Sequence, residues 1–202
     1  MQPNNTFIKI ETVGSQGSGK SSIIYRIMNK EPHQGITTIG CEVNSLIVSF
    51  ERRLWTCKLW DIEERLREAS LAKGVSTPPD ALLIVIDLTQ STSLEWARNY
   101  INNKLGIETF GMLVVGIGNK CNDKKKNVSS KEVRQLFQQY HFEYYETDVV
   151  DNVGISQMFC DTIHAIVERK IEQEHEIHQD NEMLNEFSQS LTSEDIEDCK
   201  VV

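Results

Sequence analysis

The sequence has little of what marks exported or membrane-spanning proteins. Its longest uninterrupted apolar run covers residues 81–86, whereas a helix needs about 20 residues to cross a bilayer. The first six residues carry no basic charge and no apolar stretch, so we expect no signal peptide. The five cysteines are odd in number and never at CxxC spacing. This favours free thiols in a cytoplasmic protein over disulfides or a zinc site.

Positive charge is almost missing from the end of the sequence. Residues 171–202 carry ten acidic side chains and one lysine, while residues 1–170 carry 20 of each sign. Nucleic-acid binding needs clustered Lys and Arg, so we expect no nucleic-acid partner. We predict one globular domain over 1–170 and an acidic, disordered tail over 171–202. Ile177, Leu184 and Leu191 are seven apart, which would fit a helical seam, but three positions are too few to predict a coiled coil.

Strand-like and helix-like patterns alternate within the first 170 residues. Apolar and β-branched patterns predict strands at 7–13, 42–50, 54–60, 81–86, 112–117 and 142–147. Helical periodicity predicts helices at 21–30, 63–73, 93–105, 129–140 and from about residue 155. The runs at 81–86 and 112–117 are almost wholly apolar, as in parallel strands buried on both faces. The pattern predicts a three-layer α/β domain with right-handed crossovers.

A glycine-rich segment joins the first predicted strand to the first predicted helix. Residues 14–21 read Gly-Ser-Gln-Gly-Ser-Gly-Lys-Ser, the spacing of a phosphate-binding loop. Its glycines would let successive N–H groups turn toward phosphate oxygens, next to a helix N-terminus. Lys20 would reach the β- and γ-phosphates, and the Ser21 hydroxyl would ligate Mg²⁺. The predicted phosphate-binding residues are Gly14, Ser15, Gln16, Gly17, Ser18, Gly19, Lys20, Ser21 and Ser22.

Further motifs follow in the order and near the spacing of the Ras superfamily, and residues 6–170 most resemble its Rab branch. Thr-Thr-Ile-Gly-Cys-Glu-Val at 37–43 resembles the first switch, and Lys-Leu-Trp-Asp at 58–61 the strand before the second. Residues 83–89 resemble the fourth Rab strand. Gly-Asn-Lys-Cys at 118–121 resembles the guanine-recognition motif, and Glu-Thr at 146–147 the start of the last base-contacting loop.

This resemblance implies the P-loop small-GTPase fold, a mostly parallel six-stranded sheet with helices on both faces. It implies GTP or GDP and Mg²⁺ as ligands, with Thr38 closing over the γ-phosphate and metal. Asp61 would hold the metal through water. The base would be met by Asn119, Lys120, Asp148, Val149 and either Asn122 or Asp123. Effectors and regulators would bind residues 33–45 and 61–76. Val43, Trp60 and Leu66 would supply apolar contacts there or, as an equal alternative, pack in the core.

The second switch departs from the family pattern. The family follows its aspartate with Thr-Ala-Gly-Gln-Glu, whereas Asp61 is followed by Ile-Glu-Glu-Arg-Leu-Arg. This alignment deletes two residues, leaves no glycine before Gly74 to approach the γ-phosphate, and puts Glu63 where a glutamine orients the attacking water. Glu63 is therefore the candidate catalytic residue, but a carboxylate offers no donor and repels phosphate. Since Gln16 also adds bulk, we expect very slow or absent hydrolysis.

Base recognition departs as well. The family's Asn-Lys-x-Asp reads guanine through a carboxylate, but here Cys121 is followed by Asn122 and then Asp123. If Asn122 takes that place, a donor faces a donor and guanine loses about 1–3 kcal/mol. If the loop shifts by one residue, Asp123 serves instead. The Val149 N–H could still meet guanine O6, whereas Val150 cannot replace the family's lysine.

The last four residues, Cys199-Lys-Val-Val, partly fit a prenylation motif. One lipid gives only reversible attachment, and the acidic tail has the wrong sign to reinforce it. We therefore predict a cytoplasmic protein that associates reversibly with the cytosolic face of endomembranes. The leading function is a Rab-like switch in vesicle traffic. The alternatives are a pseudo-GTPase with static or no nucleotide, and a P-loop ATPase or kinase, which the Asn119-Lys120 pair disfavours.

Overall fold

A computed structural model describes residues 6–31, 40–62, 77–108 and 111–190. This part of the chain forms six strands and four helices, in the alternating order that the sequence predicts. The strands are β1 (Phe7–Gly14), β2 (Cys41–Phe50), β3 (Arg53–Ile62), β4 (Ala81–Asp87), β5 (Leu113–Asn119) and β6 (Glu143–Thr147). The helices are α1 (Lys20–Ile27), α2 (Ser91–Glu108), α3 (Ser130–Gln138) and α4 (Ile155–Ser190). The helix predicted at 63–73 lies outside the described residues.

The six strands form one sheet in the order β2-β3-β1-β4-β5-β6. Only the β2–β3 pair is antiparallel; the other neighbours are parallel. Every residue of β4 is buried, which explains its continuous apolar sequence, because helices cover both faces of such a strand. The predicted three-layer, mostly parallel α/β fold is confirmed.

The β2–β3 hairpin turns through Glu51 and Arg52, both of which have positive φ angles, 47° and 63°. Two consecutive left-handed residues form the turn that matches the twist of a two-residue hairpin. The register pairs Phe50 with Arg53 and Val43 with Trp60. This confirms the predicted hairpin, although each strand is longer than its alternating pattern suggested.

Two sets of helices cover the two faces of the sheet. Helices α2 and α3 pack in one core against alternate residues of β4 and β5. This core includes Leu82 and Ile84 of β4 and Phe137 of α3. Helix α1 and the part of α4 up to Ile166 lie on the other face. Ser21 of α1 bonds to Asp61 of β3 there, and His164 of α4 meets the Phe50 ring edge-on at 4.9 Å between centroids. The carboxyl ends of the parallel strands therefore lie along one edge of the sheet, between the two helix layers.

The closing helix is longer than the sequence analysis predicted. The chain divides into two compact units after Ile166. In the first unit α4 buries Ile155, Met158, Ile163 and Ile166, as their spacing predicted.

In the second unit α4 continues to Ser190, so residues 171–190 are helical where disorder was expected. Glu and Gln are good helix formers, and His178 and Glu182 form an i,i+4 contact of 3.3 Å. Across the described ranges, no helix is long and apolar enough to span a membrane.

Close packing at Gly116 of β5 supplies a test of the core. A Cβ atom there would lie 2.4 Å from the ring of Phe137 in α3. We expect Gly116→Ala to lower the free energy of unfolding by about 1–3 kcal/mol, because the ring would have to move. Chemical denaturation measures this. Combining it with Phe137→Leu should cost less than the sum of the single changes; simple additivity would contradict the proposed clash.

Candidate functional site

The phosphate loop follows β1 directly and ends at the first residue of α1. Gly17 and Gly19 have φ angles of 77° and 99°, in the left-handed region that favours glycine. A Cβ on Gly14 would come within 2.4 Å of the Val85 carbonyl oxygen, and one on Gly19 within 2.2 Å of the Asn119 side chain. Three of the loop's residues are therefore glycine because of their backbone conformation or because neighbouring atoms approach them closely.

The lysine of this loop reaches back over it. Lys20 Nζ donates to the carbonyl oxygens of Gly14 and Ser15, at 2.9 and 3.1 Å. Its ammonium group thus lies along the curve of the loop, at the N-terminus of α1. The positive charge and the helix dipole both favour an anion at this point.

The two described residues predicted to hold the metal lie in contact. Ser21 Oγ donates to the carboxylate of Asp61, which is buried at the end of β3. A hydroxyl and a carboxylate suit Mg²⁺, which commonly takes few protein ligands and keeps phosphate oxygens and waters. Within the described ranges no three His, Cys, Asp or Glu side chains could together hold a metal ion. The Ser21–Asp61 pair is the part of the predicted metal site that the structure describes. Thr38 lies outside the described residues.

A polar chain joins the phosphate loop to the end of β4. Ser15 Oγ lies 2.8 Å from Ser93 Oγ, and Ser93 Oγ accepts the Asp87 N–H at 2.9 Å. Ser93 is fully buried at the start of α2. Sequence reasoning missed this residue, because a serine near a predicted helix start has no distinguishing pattern.

Asn119 connects three loops at the open edge of the sheet. Its Nδ2 donates to the Ser18 carbonyl oxygen at 2.9 Å, and its Oδ1 accepts from Thr147 Oγ1 at 3.3 Å. The next residue, Lys120, pairs with Asp87 at 2.5 Å and reaches the Gly17 carbonyl oxygen at 3.4 Å. The ends of β4, β5 and β6 are thereby held against the phosphate loop.

These loops enclose a pocket of about 430 Å³, a size suited to a small ligand. Most of its lining belongs to predicted base- and phosphate-binding residues. The lining residues are Gly17, Gly19, Ser22, Arg26, Glu31, Asn119, Lys120, Asn122, Asp123, Asp148, Val149, Val150 and Asp151. Because it continues from the phosphate loop to the ends of β5 and β6, the pocket lies where a nucleoside would extend from bound phosphates.

Asp148 organises the far wall of this pocket. Its Oδ1 accepts the N–H groups of Val150 and Asp151, at 2.9 and 3.1 Å. Its Oδ2 accepts the Asn122 N–H at 3.2 Å. One nearly buried carboxylate therefore ties together the loops that follow β5 and β6.

Both candidates for reading the base line the pocket, but their side chains have different partners. Asn122 Nδ2 donates to Asp151 Oδ2 at 2.7 Å. Asp123 Oδ1 accepts the Lys125 N–H at 2.8 Å, within its own turn. Which of the two meets the base stays a prediction. Beside them, burial chiefly, with the charges of Asp148 and Glu146, raises the pKa of the Cys121 thiol, so this thiol stays protonated at neutral pH.

Sequence reasoning also missed Arg26 of α1. Its Nε donates to the Val149 carbonyl oxygen at 2.8 Å and its Nη2 to that of Val150 at 3.4 Å, while Nη1 lies 3.3 Å from Glu31. A single arginine on a predicted amphipathic helix resembles any solvent-facing charge, and the two carbonyl oxygens that Arg26 bonds belong to residues more than 120 positions away.

Among the predicted site residues, those of the phosphate loop, Asp61 and the base group all gather at this edge of the sheet. Thr38, the candidate catalytic Glu63, Leu66 and the candidate lipidation site Cys199 lie outside the described residues.

A sequence model of the Ras family matches residues 9–168, most of the chain and all of this site. The chain belongs to the Ras family. Among similar proteins, GTP-binding protein yptV2 of Volvox carteri is 26% identical, over 85% of this chain and 80% of its own length. Ras-related protein RABG3e of Arabidopsis thaliana is 28% identical, over 80% and 83%. Ras-related protein Rab-4 of Dictyostelium discoideum is 23% identical, over 79% of each. The predicted resemblance to Rab proteins is confirmed.

In this Ras-family protein, the hydrogen bonds by which Asp148 joins the loops after β5 and β6 can be tested by hydrogen exchange. Asp148→Asn keeps Oδ1 for Val150 and Asp151 but turns an N–H₂ toward the Asn122 N–H. We expect the Asn122 amide to lose protection, and the free energy of unfolding to fall by about 1–2 kcal/mol. In Asp123→Asn, only the exposed turn at Lys125 should change. Unaltered exchange at the Asn122 amide in Asp148→Asn would contradict a stabilising hydrogen bond between this amide and Asp148.

Proposed function

We propose that this Ras-family protein is a Rab-like, Mg²⁺-dependent guanine-nucleotide switch whose GTP hydrolysis is very slow or absent. The observation that carries the proposal is the Asn119 side chain, which bonds to Ser18 of the phosphate loop and to Thr147 of the base loop. This arrangement joins the predicted phosphate loop to the pocket of about 430 Å³. The role in vesicle traffic rests on the similarity to Rab proteins.

The metal would be held by Ser21 and Asp61, which already lie in contact, with Thr38 as a further proposed ligand. Bound Mg²⁺ would neutralise charge on the β- and γ-phosphates. Lys20 supplies a second positive charge beside the same loop. These groups would account for the binding of a nucleoside triphosphate, but not for its cleavage.

Slow hydrolysis rests on the residues that follow Asp61. The sequence there has no glycine before Gly74 and has Glu63 at the position of the water-orienting glutamine. Without the glycine N–H and the glutamine, the γ-phosphate and the attacking water both lose positioning groups. The proposal therefore concerns a switch that is turned off by nucleotide exchange or by a partner, not by its own hydrolysis.

A partner surface on one face of β2 and β3 fits this switch. The register puts Val43 directly beside Trp60, and Val43 is 42% exposed. Ile47 and Leu54, 70% and 65% exposed, extend the same face, since Ile47 pairs with Thr56 and Leu54 with Ser49. We infer that effector or regulator proteins bind these apolar side chains together with residues 33–45 and 61–76.

Nucleotide binding and hydrolysis are tested together on the purified full chain. Titration with labelled GTP, GDP and ATP should show tight, Mg²⁺-dependent binding of both guanine nucleotides and weak binding of ATP. Single-turnover GTP hydrolysis should be at least tenfold below the roughly 4 × 10⁻⁴ s⁻¹ of intrinsic Ras hydrolysis.

Lys20→Ala should lower GTP affinity at least about a hundredfold through the lost phosphate contact, while Lys131→Ala, an exposed lysine of α3, should not. Guanine nucleotide bound equally well without Mg²⁺ would favour a static pseudo-GTPase. Preference for ATP would favour an ATPase or kinase. Hydrolysis at the ordinary Ras rate would contradict the proposal that the residues after Asp61 make GTP hydrolysis very slow or absent.

We further propose prenylation of Cys199 and reversible attachment to the cytosolic face of endomembranes. A single lipid gives weak binding, and the ten acidic side chains of residues 171–202 add repulsion from anionic lipid. Cys199→Ser should therefore move a partly membrane-bound pool fully into the cytosol, as measured by cell fractionation. Cys160→Ser, at an exposed cysteine, serves as the control. Equal distribution of Cys199→Ser and wild type would count against the lipid.

A further inference from the structure

Besides the Asp148 bond to the Asn122 N–H, a hydrogen bond between two side chains joins the loops after β5 and β6 at the pocket. Asn122 Nδ2 donates to Asp151 Oδ2 at 2.7 Å, and both residues line the pocket. Asp151 lies three residues beyond Asp148, outside the positions that the motifs single out. Asp151 thus places a carboxylate next to Asn122, which occupies the position of the aspartate in the family's Asn-Lys-x-Asp motif.

The chemistry of guanine shows what this contact would do. The edge of the base that carries N1–H and the 2-amino group presents donors only, so a matching site needs two acceptors. Asn122 has one acceptor, Oδ1, and an N–H₂ group that would face the amine. Its bond to Asp151 directs that N–H₂ toward the carboxylate. Oδ1 accepts the Cys121 thiol at 3.6 Å and keeps a second lone pair to accept from N1–H. The carboxylate of Asp151 retains lone pairs for the amine.

The backbone around this pair holds it in position. Asp148 accepts the Asp151 N–H at 3.1 Å and the Asn122 N–H at 3.2 Å, so one carboxylate fixes both residues relative to each other. Arg26 holds the Val149 carbonyl oxygen at 2.8 Å, two residues before Asp151. Preorganisation of this kind lets an exposed polar side chain contribute to binding.

Asp123 is less suited to the task. Its Oδ1 accepts the Lys125 N–H at 2.8 Å, and its own N–H donates to the Lys120 carbonyl oxygen at 3.1 Å. These bonds hold Asp123 within its own turn, whereas the Asp151 carboxylate accepts a hydrogen bond from the Asn122 side chain.

We propose that Asp151 reads the guanine 2-amino group in this protein, in concert with Asn122. The acidic part of base recognition has thus moved from the loop after β5 to the loop after β6. The inference rests on the proposed function, because it presumes that the pocket holds a guanine nucleotide.

The test compares GDP with inosine diphosphate, which lacks only the 2-amino group, on the full chain in Mg²⁺. Hydrogen bonds to a charged acceptor distinguish such ligands by roughly tenfold or more, so wild type should prefer GDP at least about tenfold. Asp151→Asn should lower GDP affinity about tenfold and change inosine diphosphate affinity less than about twofold. Its amide oxygen would accept from Asn122, leaving an N–H₂ group toward the amine.

The matched control is Asp161→Asn. Asp161 accepts a side-chain amide bond from Gln157 at 2.8 Å, as Asp151 does from Asn122, but lies in α4 outside the pocket lining. This variant loses the same charge and should keep the wild-type preference. Thermal unfolding of each variant checks that it is folded.

A second variant restores the acid at its other position. In the Asp151→Asn background, Asn122→Asp should recover most of the preference for GDP. An unchanged ratio in Asp151→Asn, or a ratio lost in Asp123→Asn alone, overturns the assignment to Asp151. If wild type binds both nucleotides equally, this inference fails and the proposed function stands; if it binds neither, the proposed function fails as well.

Discussion

The buried amide of Asn119 is the interaction on which the rest of the site depends. Its two ends are used in opposite senses, one donating to the Ser18 carbonyl and one accepting from Thr147. No charged or apolar side chain of similar size could satisfy both partners in a site with no solvent access. Its packing also demands glycine at position 19, where a Cβ would fall 2.2 Å from Nδ2. The phosphate loop and the base pocket are thus parts of one packed unit.

Much of this unit was predictable from residue types and their spacing. The continuous apolar run of β4 indicated a strand buried on both faces, and the glycines between β1 and α1 indicated a loop that approaches other atoms closely. The residues predicted to bind phosphate run from the end of β1 to the start of α1, and Asn119 is the last residue of β5. Such features are local, since a strand, a turn or a loop conformation requires particular residues in a short segment.

The contacts that sequence reasoning missed are those between distant segments. Arg26 meets carbonyl groups of residues 149 and 150, and Ser93 meets Ser15 across 78 residues; no periodicity identifies such partners. Helix α4 was misjudged for another reason. The polar composition of residues 171–190 suggested disorder, because the segment has too few apolar residues to form a core. Helix propensity and the His178–Glu182 i,i+4 pair nevertheless support its helical continuation.

Within the part of the chain that the structure describes, the Asp148 carboxylate accepts hydrogen bonds from three main-chain N–H groups, those of Asn122, Val150 and Asp151. Every residue type except proline offers that group. The backbone conformation of this pocket wall therefore does not depend on which side chains stand at positions 122, 150 and 151. These side chains could change during evolution while the wall kept its shape. A fold built in this way can exchange the residues that face a ligand one at a time without passing through a collapsed pocket.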